Sequence, residues 1–282
     1  MYILTFDVEE WFHILDNDST KTSNEWKHFE SRIHPNIERI FRILKENNTK
    51  ATFFCLGWMA EIYPEVIKEI VNQGFEIGSH TQMHQLVYEQ TPKEFRNEVE
   101  RSVKTLEDIT GIKVKYFRAP GFSITEHTKW ALEILAGQGI EIDCSVFPAP
   151  RAHGGFPSYG EPFPSIIRYD GIEIKELPIN YTTVIGKPVI FSGGGYFRLF
   201  PYCLVKRWTK QSDYVMVYLH PRDFDPDQPV IKELSLFRKF KSYVGLKGAE
   251  EKLGDWLSDF EFVDVNRAVK IIDWEKAPVI EL

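Results

Sequence analysis

Two histidines four positions apart, His80 and His84 in Gly78-Ser79-His80-Thr81-Gln82-Met83-His84, follow an apolar run that reads as a strand. Imidazoles at this spacing share one face of a helix, or converge in a tight strand-to-helix loop. Either arrangement lets two neutral nitrogens reach one divalent ion at about 2.0–2.1 Å. A catalytic ion takes a third protein ligand and keeps a position for water. The first apolar run, Tyr2 to Phe6, ends in Asp7-Val8-Glu9-Glu10 and offers carboxylates for that role. Side chains alternate along an extended segment, so Asp7 and Glu9 share a face while Val8 and Glu10 point away. Glu9 is therefore expected as the third ligand ahead of Glu10.

Other polar side chains stand at the ends of apolar runs: Arg118 after Val114–Phe117, Asp143 after Ile140–Ile142 and His220 after Tyr214–Leu219. The stretches between have helical periodicity, over 36–47, 58–72, 92–110, 126–136 and 202–211. Thr91, Pro92 and Glu94 open the third of these, Gly111 closes it, and Thr125 can cap the fourth. This strand and helix rhythm predicts a parallel α/β sheet or barrel with its chemistry at the C-terminal ends of the strands. Residues 16–31 read as a loop. Residues 147–195 are irregular and rich in Pro and Gly, with short strands near 166–168 and 172–177. Two helices split near Gly245 follow within 230–258, and a last strand and helix lie at 260–265 and 267–272. No repeat or linker divides the chain, so a single domain over 1–282 is expected, elaborated from about 221.

Of 282 residues, 43% are apolar and 27% charged, which suits a folded protein with a large core. The net charge is −7 with Lys and Arg spread along the chain, and neither nucleic acid nor an anionic membrane is expected as a partner. No stretch approaches the roughly 20 apolar residues of a membrane span, and acidic residues appear too early for a leader peptide; a cytoplasmic location is expected. Cys55, Cys144 and Cys203 are few and widely spaced, so no disulfide framework is expected. The run Gly193-Gly194-Gly195 could admit a ligand to the backbone, but it lacks nucleotide-binding spacing, and no nucleotide cofactor is expected.

Five motifs in order, Thr5-Phe6-Asp7-Val8-Glu9, Ser79 to His84, Arg118-Ala119-Pro120-Gly121, Asp143-Cys144-Ser145 and Leu219-His220, resemble the polysaccharide deacetylase (NodB-homology, carbohydrate esterase family 4) superfamily. The resemblance spans roughly Ile3 to His220. The segments Asp7 to Phe12, Gly193 to Arg198 and His220 to Asp225 look like a branch associated with exopolysaccharide and surface-glycan gene clusters. The resemblance implies a distorted, incomplete (β/α) TIM-like barrel. It also implies a metal-dependent carbohydrate deacetylase that removes an acetyl group, N-acetyl foremost, from a sugar of a polysaccharide or glycan precursor. Carried over by motif, Asp7 is the general base, His80 and His84 are metal ligands, Arg118 orients the base, Asp143 orients the acid and His220 is the acid. Zinc is favoured, and manganese, cobalt or nickel suits such ligands as well. The family's second, metal-binding aspartate is replaced here by Val8, which cannot ligate, and Glu9 is expected to take its place.

Two other readings keep the fold: hydrolysis of a cyclic amide or ureide such as allantoin, and a catalytically silent glycan-binding protein. The expected partner is an acetylated sugar or glycan, with the oligomeric state left open. A backbone amide near Gly121 or Phe122 is an expected oxyanion donor. Trp11, Phe12, Phe122, Tyr196 and Phe197 serve either as sugar platforms or as core. His13, His28, His34, His127 and His153 belong to no motif.

Overall fold

Apart from Thr5 and Asp7, the first strand is continuously apolar, as a strand covered on both faces should be. In the computed structural model, which describes residues 1–15, 20, 22–151 and 154–282, this segment is β1 (Tyr2–Val8), buried along nearly its whole length. There follow α1 (Ser23–Trp26), α2 (Ile33–Glu46), β2 (Thr52–Cys55), α3 (Gly57–Ile62), α4 (Pro64–Asn72), β3 (Glu76–Ser79), α5 (Pro92–Thr110), β4 (Tyr116–Phe117), α6 (Trp130–Gly137) and β5 (Ile142–Asp143). The second half adds β6 (Ser165–Tyr169), β7 (Ile172–Glu176), β8 (Thr182–Val184), β9 (Lys187–Val189), α7 (Gly194–Leu199), α8 (Tyr202–Gln211) and β10 (Val215–Leu219). It ends with α9 (Leu236–Tyr243), α10 (Ala249–Asp259), β11 (Phe262–Val263), α11 (Val265–Ile271) and β12 (Val279–Glu281).

Among the described residues the main sheet runs β10-β1-β2-β3-β4-β5-β7-β6-β12, with β11 also against β1. From β10 through β7 every neighbour is parallel. The sheet does not close between β10 and β12, which is the expected incomplete (β/α) barrel. Because the strands run the same way, the C-terminal ends of β1, β3, β4 and β10 gather at one edge. Phe6 lies in register with Leu219, so the residues that follow, Asp7 and His220, leave the sheet side by side.

Local chemistry explains where the elements begin and end. On α5, Phe95, Val99, Val103 and Leu106 recur at helical spacing and are all buried, and truncating one such core residue to Ala costs about 2–5 kcal/mol. Thr91 and Glu94 form its capping box, and Gly111 at φ 70° ends it. The helix expected over 58–72 is split, because Pro64 has no N–H to continue α3 and instead opens α4. The helix expected from Glu126 begins only at Trp130: the Thr128 hydroxyl accepts from the Thr125 amide at 2.8 Å, holding a local turn. Within the segment expected to be a loop, Thr22 and Glu25 cap the short α1, while residues 16–19 and 21 lie outside the described residues. β6 and β7 form a hairpin turned by Asp170 and Gly171 at φ 47° and 81°. Strand β12, absent from the sequence reading, extends the sheet beside β6.

Candidate active site

Arg118 follows β4 with its guanidinium fully buried over the Phe54 ring, 4.3 Å from the centroid. Its Nη1 donates to Asp7 Oδ1 at 2.7 Å and to Thr5 Oγ1 at 2.6 Å, and its Nε donates to the Cys144 carbonyl at 3.2 Å. Thr5 and Asp7 share a face of β1, so one cation holds both, and Asp7 Oδ2 remains on the side of His220.

The His80 to His84 segment is a loop. Thr81 and His84 adopt φ of 68° and 56°, a conformation that side chains with a Cβ rarely take and that folds the two imidazoles toward each other. The first amides of α3 hold it in place: Gly57 N donates to Thr81 O and Trp58 N to Gln82 O, both at 2.9 Å. Three imidazoles converge on one oxygen. Glu9 Oε1 lies 3.2 Å from His80 Nε2, 3.0 Å from His84 Nε2 and 3.8 Å from His220 Nε2. Burial alone would raise the Glu9 carboxyl, but His84, His220 and the hydrogen-bond partner His80 hold it well below its usual range.

His80 Nδ1 is 2.7 Å from the Arg118 carbonyl. A carbonyl only accepts, so Nδ1 carries a proton; in the neutral ring that a metal ligand must be, Nε2 then presents a lone pair toward the Glu9 oxygen. A proton on Nε2 closes that contact as a hydrogen bond, and a divalent ion that displaces it would sit between the same two atoms. The 3.0 and 3.2 Å separations are also near the roughly 3.3 Å edge of a tetrahedron with 2.0–2.1 Å bonds. The donor set of Glu9, His80 and His84 thus fits a divalent ion.

His220 leaves β10 beside Asp7, its Nε2 3.9 Å from Asp7 Oδ2. The 3-10 turn Pro221–Phe224 brings Asp223 back so that its Oδ2 meets His220 Nδ1 at 3.0 Å. Burial favours the neutral ring, yet Glu9, Asp223 and Asp7 together outweigh it and raise His220 to about 9. Arg198 of α7 donates to Asp223 Oδ1 at 2.9 Å; against the upward push of burial, it and His220 keep Asp223 ionised.

Asp143 does not orient His220. Its Oδ1 accepts from Ser145 Oγ at 2.5 Å and from the Cys144 amide at 2.9 Å, and its carboxyl meets that of Glu176, its register partner on β7. The cause is topological: β5 lies four strands from β1 and five from β10 in the sheet, whereas Asp223 is three residues from His220. The His-Pro-x-Asp order of residues 220–223 is the signal in the sequence that points to Asp223.

Glu10 is engaged elsewhere. Its carboxylate accepts from the Ser31 hydroxyl at 2.5 Å and from the Arg32 and Ile33 amides at 2.9 and 3.1 Å, closing the start of α2. Trp11, Phe12 and Phe197 are core. Phe122 and Tyr196 line a cavity of about 400 Å³ that also exposes Asp7, Glu9, His80, His84 and His220. The Phe122 amide is committed to the Ala119 carbonyl at 3.2 Å, which leaves Gly121 as the candidate oxyanion donor. In the glycine run, a Cβ at Gly193 would fall 2.1 Å from the Tyr218 ring, so this glycine permits close packing. His13 also lines the cavity. Its Nδ1 accepts from the Glu10 amide at 3.2 Å, leaving the proton on Nε2, and burial, foremost, and then His84 keep the ring neutral. His153 lies outside the described residues.

Residues 17–139 match the polysaccharide deacetylase family model. Residues 144–270 match a second model, a domain of unknown function, DUF3473. Over 103 residues the chain is 38% identical to a peptidoglycan-N-acetylglucosamine deacetylase of Bacillus cereus, covering 35% of this chain and 38% of that protein. Over 199 residues it is 25% identical to a peptidoglycan deacetylase of Helicobacter pylori, covering 64% and 65%. The chain thus spans less than two thirds of either curated relative. A solved structure assigned as a polysaccharide deacetylase, from Mycobacterium smegmatis, superposes with a TM-score of 0.66 at 19% identity, covering 100% of this chain and 92% of that one. That likeness carries the fold; chemistry has to be argued from side chains. In the deacetylase-matched region lie His80, His84 and Arg118, whereas Asp7 and Glu9 precede it and His220, Asp223 and Arg198 belong to the DUF3473 stretch.

Proposed function

We propose that the protein is a metal-dependent deacetylase that hydrolyses an acetyl group, N-acetyl foremost, on a sugar of a glycan, and that residues 1–282 form one catalytic unit. The observation that carries this reading is the convergence of the His80, His84 and His220 nitrogens on Glu9 Oε1 beside Asp7, at the floor of an open cavity. Neither matched region holds that constellation alone. Relatives named for N-acetylglucosamine in peptidoglycan support the substrate class.

A divalent ion bound by Glu9, His80 and His84 supplies a Lewis acid for the acetyl carbonyl and a lowered pKa for water, and zinc is favoured for such a set. Asp7, fixed through Oδ1 by Arg118, takes the proton of the attacking water at Oδ2. His220 holds its proton at Nε2, turned by the Nδ1 contact to Asp223, and gives it to the leaving nitrogen. The Gly121 amide is offered to the developing oxyanion. Asp223 takes the orienting role expected of Asp143. The free thiols of Cys55, Cys144 and Cys203 support a reducing, cytoplasmic setting.

The test is acetate release from N-acetylglucosamine oligosaccharides, with metal content by elemental analysis after dialysis. Near-stoichiometric metal and turnover, both lost in Glu9→Gln, are expected. A wild type that takes up no metal yet opens a cyclic ureide would replace this reading, and one that binds glycan with no turnover would leave the silent binder.

A further inference from the structure

Among the described helices, α9 buries none of its side chains. Leu236, Phe237 and Phe240 are 86%, 70% and 53% exposed. At positions i, i+1 and i+4 they share one helix face, which Lys239 and Lys241 flank on its two sides. Residues 230–247 contain five basic residues, Lys232, Arg238, Lys239, Lys241 and Lys247, against the single acid Glu233. That is a net charge of +4 within a chain of −7, leaving −11 for the rest. The basic charge that composition shows as dispersed is locally concentrated around an exposed apolar face.

The helix is anchored from beneath. Arg198 donates to the carbonyls of Val244 and Lys241 at 2.6 and 3.3 Å, and the Tyr243 hydroxyl accepts from the Ile231 amide at 2.9 Å. Phe237, Phe240 and Lys241 of α9 also form the outer wall of the catalytic cavity, beside Tyr196 and Leu199. The exposed apolar face thus lies beside the cavity and in part lines it.

We propose that α9 docks the protein on an anionic lipid bilayer, with Leu236, Phe237 and Phe240 entering the headgroup boundary and the flanking lysines on lipid phosphates. An apolar stripe edged with lysines is the pattern of an interfacial helix. A second copy of the chain would set +4 against +4 across the same face, and a neutral glycan platform gives no role to the cations or to Leu236. With the activity proposed above, the docked cavity opens toward acetylated sugars carried at that surface.

The full chain is sedimented with mixed phosphatidylglycerol and phosphatidylcholine vesicles, and with phosphatidylcholine alone. Binding to the anionic vesicles, weakened by salt, is expected, with a loss of roughly tenfold or more in Lys239→Glu/Lys241→Glu and in Phe237→Ser/Phe240→Ser. None of the four positions is fully buried, so melting temperatures should change little. No vesicle binding, or equal binding by both variants, overturns the proposal. So does a concentration-dependent dimer that Phe237→Ser/Phe240→Ser abolishes, or a loss of soluble-glycan affinity in that variant with vesicle binding intact. The readout involves no turnover, so failure of the deacetylase reading leaves it standing.

Discussion

Two pairs of buried acids lie on the same sheet, Asp7 with Glu9 at the end of β1 and Asp143 with Glu176 at the ends of β5 and β7, and Arg118 sits between them. Burial pushes the carboxyls of Glu9, Asp143 and Glu176 toward the neutral form. At Glu9 three imidazoles reverse that push, and the carboxylate faces an open cavity. At the other pair no imidazole arrives. Burial, and then the neighbouring acid, raise Glu176 well above its usual range, while burial raises Asp143 to about 6, which favours a single proton held between the two. Residue type and depth are alike in the two places. What separates the two pairs is the set of side chains brought in from other strands.

The sharpest way to break that contrast is at the proposed ligands. Glu9→Gln and His80→Ala should lose bound metal and lower acetate release on the order of 10³-fold, the several kcal/mol that a Lewis acid contributes. Metal retained at wild-type levels in both, by elemental analysis, would remove Glu9 from its role. Next in size are Asp7→Asn and His220→Ala, expected to keep the metal while kcat falls roughly 10²–10⁴-fold, as loss of a general base or acid does.

A smaller effect separates the two candidate orienting acids. The proton on His220 is present below its raised value and lost as pH rises through it. Removing a neighbouring anion lowers that value, so Asp223→Asn should move the alkaline limb of kcat/KM down by about one pH unit. Asp143→Asn should leave the limb where it is, and an equal shift would return Asp143 to the orienting role. Glu10→Gln tests the neighbouring carboxylate: about 1–3 kcal/mol of stability lost in denaturant titration with the metal retained.

The smallest expected effect concerns the structural pair. Acids raised in the folded state bind more protons there than in the unfolded chain. The contribution of this pair to stability is therefore greatest below the ordinary Asp value of 3.8 and falls as pH rises toward about 6. Glu176→Gln supplies an amide donor to Asp143 in place of the shared proton and should flatten that fall by about 1–2 kcal/mol in urea titrations between pH 4 and 6. An unchanged slope would mean that the pair does not share a proton.

What the sequence determined by itself were properties set by near neighbours. Alternation along Asp7-Val8-Glu9-Glu10 selects Glu9 over Glu10, apolar runs ending in Arg118 and His220 mark strand ends, and Thr91, Pro92 and Gly111 bound α5 because caps act within a turn or two. The parallel order of the strands followed from the same rhythm. Tertiary structure alone decided what depends on distance across the sheet. It placed Asp143 against Glu176 rather than His220, because β5 pairs with β7 while β10 pairs with β1. It gave the imidazole its partner through the turn after β10, buried Trp11, Phe12 and Phe197, and left the face of α9 bare, since exposure is a property of what packs on a residue and not of the residue.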